Sequence, residues 1–137
     1  MKAALIDTSI WGAHFNRRDR YCSRAGELLA LPDIRPVTTW PIVWETITFI
    51  SRDVSSESAA VVGRRFVDGE LADIVELTST DYVLAFDLMR QFPYLRLSAA
   101  DATGCAVARR LKIETILSFD SDFAVVLSDR KVLGVND

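Results

Sequence analysis

A chain of 137 residues, half of them apolar, is the size of one compact domain with a single core, and no apolar run approaches the ~20 residues that cross a bilayer. Lys and Arg number 16 against 19 Asp and Glu, a net charge of −3, so the overall balance shows no basic character aimed at nucleic acid. His14 is the only histidine, and Cys22 and Cys105 lack zinc-site spacing. A His-rich or thiolate metal site is therefore excluded, the cysteines read as plain thiols of a reducing compartment, and any metal chemistry falls to carboxylates.

Lys2 to Ile6 is a nearly continuous apolar run that stops at Asp7-Thr8-Ser9, residues that start helices, so a buried strand followed by a helix is expected. Asp7 also interrupts this segment before a signal-peptide core could be completed, and the protein is read as cytosolic. Arg20 to Leu31 predicts a second helix, with Ala25, Leu28, Leu29 and Leu31 near helical spacing and Pro32 as its stop. A short strand follows around Arg35 to Thr38. Thr39-Trp40-Pro41 makes a helix entry, since proline in a first turn loses no hydrogen bond, and Val43, Ile47 and Ile50 mark one apolar stripe. Glu45 lies about one turn in.

Ser55 to Val67 predicts another helix with Ala59, Val62, Phe66 and Val67 inward and Gly69 near its end. Ile74 to Leu77 reads as a strand. Thr80 to Phe92 has Val83, Leu84, Phe86, Leu88 and Met89 at helical intervals, and Pro93 stops it. Ser98-Ala99-Ala100-Asp101 has the form of a capping box with Asp in place of Glu and opens a helix to Leu111. Ile113 to Ser118 is apolar and β-branched, ends in Phe119-Asp120-Ser121-Asp122, and is followed by Val132 and Leu133 as a final edge strand. Strands alternate with helices throughout, without repeats or linkers. The expectation is one α/β domain over residues 1–137, a three-layer α/β/α with a central parallel sheet.

In right-handed βαβ units, strand C-termini and helix N-termini lie along one edge of the sheet. Asp7 and Asp120 end strands, and Glu45 and Asp101 sit in the opening turns of helices, so four acids from four segments are expected on that edge. Left alone they would repel one another and raise their own pKa values; a cation would relieve this. An all-oxygen donor set suits Mg²⁺ or Mn²⁺. Each acid also has a plain structural explanation: Asp7 as an N-cap, Asp101 as the closing partner of the capping box, Asp120 as a turn former, and Glu45 as a solvated residue. Arginines cluster at Arg17, Arg18, Arg20 and Arg24, at Arg64 and Arg65, and at Arg109 and Arg110 with Lys112, each readable as a solvated helix face.

LIDTS after the first strand, WPIVWE around Glu45, LSAADA around Asp101 and ILSFDSDF around Asp120, in this order and spacing, resemble the four acidic motifs of the PIN domain, and within it the VapC-like toxins of bacterial and archaeal toxin–antitoxin pairs. The resemblance spans nearly the whole chain. It implies a metal-dependent endoribonuclease in which Asp7, Asp101 and Asp120 hold the principal Mg²⁺ or Mn²⁺ and Glu45 helps bind it or orients the attacking water. Asp120 is assigned as the fourth ligand, with Asp122 as a contributor through water, and Ser118 stands where the family commonly has threonine. Thr8, Ser9 and Ser118 are placed to hold the acids or donate to a phosphate oxygen, or serve simply as caps.

Similarity to the toxins also implies an RNA substrate, a homodimer and an antitoxin protein whose tail occupies the active-site groove. Trp11, Trp40 and Trp44 are expected either to anchor that partner or to belong to the core. Three alternatives stay open: a housekeeping PIN nuclease without antitoxin, a catalytically silent RNA- or protein-binding module of the same fold, and a phosphoacceptor receiver-like domain. The last wants paired acids after the first strand and a strand-end lysine, and the segments supply neither clearly.

Overall fold

Five short strands pair in the order β3-β2-β1-β4-β5, every pairing parallel, in a computed structural model that describes residues 1–135. The strands are β1 (Lys2–Ile6), β2 (Ile34–Thr39), β3 (Asp73–Val75), β4 (Thr115–Leu117) and β5 (Lys131–Leu133). The helices are α1 (Thr8–His14), α2 (Cys22–Leu29), α3 (Trp40–Asp53), α4 (Ser56–Val67), α5 (Ser79–Gln91), α6 (Ala99–Arg110) and the short α7 (Asp122–Val126). A parallel sheet must be covered on both faces, and the expected three-layer α/β/α architecture is what these helices build. Ala4, Leu5 and Ile6 of β1 have no exposed surface, as a central strand sandwiched between helices requires.

The chain leaves β1 toward β2 and β3, then returns across the sheet to β4 and β5 on the other side of β1. The strand order thus reverses between β1 and β4, and the crevice outside the C-terminal ends of these two strands is where open α/β sheets bind ligands. Ile6 pairs with Leu117, and the Asp7 amide donates to the Leu117 carbonyl at 3.2 Å, so Asp7 and Ser118 emerge side by side at that crevice.

Helix α6 is buried almost all round because its residues are small: Ala100, Ala102, Gly104, Cys105, Ala106 and Ala108 let it press against its neighbours. A Cβ on Gly104 would come within 3.0 Å of Ile42 Cδ1 and 3.1 Å of Leu5 Cδ2, which makes this glycine the contact point between α6, α3 and β1. Thr39 and Thr103 share a buried hydroxyl contact of 3.0 Å that ties the start of α3 to α6. Gly134, at φ 105°, is needed for another reason: a Cβ there would lie 2.6 Å from the Ser118 carbonyl oxygen.

Several details differ from the sequence expectations. Val67 is exposed, not inward, and on α5 Val83 and Phe86 face outward while Ala85 and Leu88 are buried. The helix over Asp122–Val126 has too few residues to show a period and was not expected. A reciprocal capping box forms at Thr78 and Asp81 on α5, where none was anticipated. Trp11 is a core residue, 2% exposed and packed edge-on against Phe66 at 5.1 Å, whereas Trp44 is 65% exposed. Among the described residues, no helix is long and apolar enough to cross a membrane.

The arginine clusters divide. Arg110 clamps the buried Asp81 through Nε–Oδ1 at 2.8 Å and Nη2–Oδ2 at 2.9 Å, holding its carboxyl below the ordinary range, and Arg109 donates to the Val126 carbonyl. Arg64 and Arg65 pair with Asp68 and Glu70. Arg17 and Arg18 are exposed and make no ion pair among the described residues.

Candidate active site

Asp7 caps α1 and is 1% exposed, and three groups converge on its carboxylate. Oδ1 accepts from the Ser9 hydroxyl at 2.7 Å and the Ile10 amide at 3.2 Å, and Oδ2 accepts from the Ser118 hydroxyl at 2.6 Å. Burial nonetheless pushes its pKa up to about 6, with those donors opposing the rise and Asp120 adding to it. Ser118, fully buried, also accepts the Asp120 amide at 2.9 Å. One hydroxyl therefore links the acids that end β1 and β4.

Asp101 stands on the third position of α6. Its amide donates to Ser98 Oγ at 3.0 Å, the first half of a capping box, but no reciprocal bond from its carboxylate to the cap is present. The expectation that Asp101 might only close that box is thus corrected: Oδ1 is buried and has no hydrogen-bond partner among the described residues. Its pKa is pushed up to about 8, first by burial and then by the charges of Asp7, Glu45 and Asp120, with Ser98 opposing. The three other expected acids all act on this one side chain. The Asp122 amide donates to Asp120 Oδ1 at 2.9 Å, which fixes the turn into α7.

Glu45 is half-buried on α3 and accepts from Ser98 Oγ at 3.4 Å. The one Ser98 hydroxyl thus accepts the Asp101 amide and donates to the Glu45 carboxylate, a role that a Ser at a helix start does not reveal in sequence. Ser9 likewise bridges, donating to Asp7 while accepting the Phe119 amide at 3.0 Å. Thr8 is buried with its hydroxyl unpartnered among the described residues. Cys105, one turn along from Asp101, is buried and its thiol is pushed well up, so it is an inert core group.

The side chains as placed hold their charges near one another without closing on a point: among the described residues, no three His, Cys, Asp or Glu side chains are grouped closely enough to hold an ion. What the acids offer is an all-oxygen donor set and one orphaned, buried carboxylate oxygen. An unpaired buried acceptor costs about 1–3 kcal/mol, and more for a charged group, so a hard cation would relieve it.

The family model described as PIN domain matches residues 4–127. The chain belongs to the PIN-domain family. Among solved structures, this PIN domain is similar to the Mycobacterium tuberculosis toxin VapC20, described as sarcin–ricin-loop cleaving, with TM-score 0.83 and 24% identity over 90% of this chain and 95% of that one. VapBC2 from Rickettsia felis, bound to a DNA fragment from its promoter, matches with TM-score 0.66 and 13% identity over 95% and 96% of the two chains. VapBC-1 from nontypeable Haemophilus influenzae matches with TM-score 0.66 and 12% identity over 98% and 99%. At these identities the likeness is one of fold. No curated protein matches this chain in sequence.

Proposed function

We propose that the protein is a Mg²⁺- or Mn²⁺-dependent endoribonuclease with Asp7, Glu45, Asp101 and Asp120 as its site, acting in the cytoplasm as the toxin of a toxin–antitoxin pair that inhibits translation. The observation that carries this reading is Asp101: orphaned at Oδ1 and raised to about 8 first by its burial and then by the charges of the three other acids at the crevice where the strand order reverses. Asp120 is among the charges that raise Asp101, and the Ser118 hydroxyl ties it to Asp7, which supports Asp120 as the fourth acid.

Asp7, Asp101 and Asp120 would hold the ion, and carboxylates alone suit Mg²⁺ or Mn²⁺. When bound, the ion would lower the pKa of a water and offset charge developing on the phosphate during in-line attack. Ser118 and Ser9 fix the Asp7 carboxylate from two sides. Glu45, held by Ser98, would help bind the ion or orient the attacking water.

For the partner, Trp40, Val43, Trp44 and Ile47 of α3 face Ala59 and Gly63 of α4 across an apolar groove of about 220 Å³. An antitoxin's apolar segment would cover Trp44 there, in keeping with the similarity to VapBC structures. A homodimer belongs to the same reading, and Val83 and Phe86 on α5 offer it apolar surface. Incubating structured RNAs with the purified protein, with and without Mg²⁺ or Mn²⁺ and alongside Asp7→Asn and Asp101→Asn, tests the activity. Metal-dependent cleavage lost in both variants supports it. Cleavage without metal, or surviving both substitutions, contradicts the site, and absence of cleavage under every metal favours a silent binding module.

A further inference from the structure

A second concavity shares a wall with the acids. It is a pocket of about 240 Å³ bordered by Thr8 and Ser9 on one side and by Tyr21, Phe119 and Phe49, with Asp19 and Asp53 among its polar lining. Ser9 joins it to the site directly, since its hydroxyl donates to Asp7 and accepts the Phe119 amide. A cavity of about 150 Å³ admits a benzene ring, so this one has room for a larger heterocycle.

Its walls combine π surface with acceptors. Tyr21 stacks on Phe119 at 5.0 Å between centroids and 29° between planes, and the Arg20 guanidinium covers Tyr21 at 4.7 Å. Asp19 uses one carboxylate oxygen for the Tyr21 amide and Asp53 uses one for Arg52, leaving each a second oxygen. The lining residues Asn16, Asp53 and Val54 also border a further depression of about 400 Å³ that contains Arg17 and Arg18. The surface therefore runs from Ser9, which holds Asp7, through an aromatic pocket with carboxylate acceptors, to two arginines with no ion pair among the described residues.

We propose that this pocket receives the base of a nucleotide next to the scissile phosphodiester, that the preferred base is guanine, and that Arg17 and Arg18 contact a flanking phosphate. The proposal rests on the nuclease reading above and names the base that its site selects. Unpaired RNA bases are recognised by stacking on aromatic side chains and by hydrogen bonds to their exposed edges. Guanine presents two adjacent donors, N1–H and the 2-amino group, to which a carboxylate presents acceptors. Uracil presents one N–H between two carbonyl oxygens, which would face the Asp19 and Asp53 carboxylates unfavourably. A cationic peptide side chain could also satisfy those carboxylates, but the neighbouring Arg17 and Arg18 favour a polyanion over it.

The test measures anisotropy of short labelled oligoribonucleotides in metal-free buffer, comparing an all-uridine strand with one containing a single guanine. The guanine strand is expected to bind roughly tenfold tighter. Asp53→Asn should remove most of that preference, Tyr21→Ala should weaken the guanine strand at least about fivefold, and Tyr21→Phe should keep it. Arg18→Ala should weaken both strands alike and flatten the salt dependence. Far-UV circular dichroism confirms that each variant is folded.

Added Mg²⁺ or Mn²⁺ should then direct cleavage beside the guanine. Equal affinity for both strands, untouched by Asp53→Asn in a protein that still cuts RNA, overturns the pocket and leaves the nuclease reading standing. A wild-type protein that neither binds nor cuts either strand overturns both. A Tyr21→Ala variant that keeps its RNA affinity but loses a co-expressed protein partner assigns the pocket to a peptide and also overturns the proposal.

Discussion

The Ser118 hydroxyl lies 2.6 Å from Asp7 Oδ2, bridging the ends of two adjacent strands, and the same oxygen accepts the Asp120 amide. A buried hydroxyl with a charge-assisted acceptor on one side and a backbone donor on the other fixes the separation of the two acids. Ser118→Ala should therefore weaken Mn²⁺ affinity and RNA cleavage by roughly 10–100-fold, as loss of an orienting partner does. Leaving the Asp120 amide and Asp7 short of a partner should also cost about 1–2 kcal/mol in urea unfolding. Unchanged metal affinity with lowered stability would make Ser118 a purely structural bridge.

The acids predict an unusual pH dependence for the metal-free protein. Asp7 and Asp101 have folded-state pKa values of about 6 and about 8, above the ordinary carboxylate value of 3.8. The folded state thus holds protons that the unfolded chain gives up, and stability falls as pH rises from about 4 toward 8. The loss should be on the order of a few kcal/mol, moderated by relaxation of the side chains. Thermal melts in EDTA at successive pH values check this. A melting temperature that rises across the same window would contradict the burial and mutual repulsion described for Asp101.

Gly104 is where α6 meets Leu5 and Ile42, and a methyl group there would press on their side-chain ends at 3.0 and 3.1 Å, so those side chains must give by a few tenths of an ångström. Gly104→Ala should destabilise the fold by about 1–3 kcal/mol by overpacking, despite the higher helix propensity of alanine. Denaturant unfolding would show a lower midpoint at unchanged slope. A midpoint that rises would mean that α6 can retreat from β1 at no cost.

The Arg110–Asp81 clamp supplies a control far along α6 from the acids. Arg110→Ala leaves the Asp81 carboxylate buried at the start of α5 with only its backbone cap, so the melting temperature should fall while Mn²⁺ affinity per folded molecule stays the same. The depressed Asp81 pKa acts in the opposite sense to the candidate site: its contribution to stability is present at neutral pH and is lost on acidification through the folded pKa. A metal titration of the variant alongside its thermal melt separates the two effects.

Much of this was legible in the sequence because parallel α/β folds put chemistry at predictable places. Asp7 after an apolar run and Asp101 after a Ser cap mark strand end and helix start, and the edge rule brings them together without knowledge of packing. What stayed hidden depended on contacts distant in sequence. Ser118 and Asp7 are 111 positions apart, and Ser98 and Glu45 are 53 apart, so no local pattern announces either bond. Asp101 looked like the second half of a capping box, whereas that motif forms at Thr78 and Asp81. The three tryptophans could not be sorted by type alone, because Trp11 and Trp44 both sit on amphipathic helices and only tertiary packing buries one and exposes the other. The arginine clusters were likewise indistinguishable until Arg64, Arg65, Arg109 and Arg110 found partners in the fold.

The central claim, that a carboxylate raised by its burial and by three neighbouring acids is a divalent-metal ligand, is tested most directly by calorimetric titration of Mn²⁺ into the metal-free protein near pH 7 in buffers of different ionisation enthalpy. The account predicts saturable binding accompanied by proton release, because Asp101 is largely protonated there and a ligand must be ionised. Asp101→Asn should bind at least about tenfold more weakly and release fewer protons. Wild-type protein that fails to bind Mn²⁺, or an Asp101→Asn variant that binds it with the same affinity and proton count, would contradict the account.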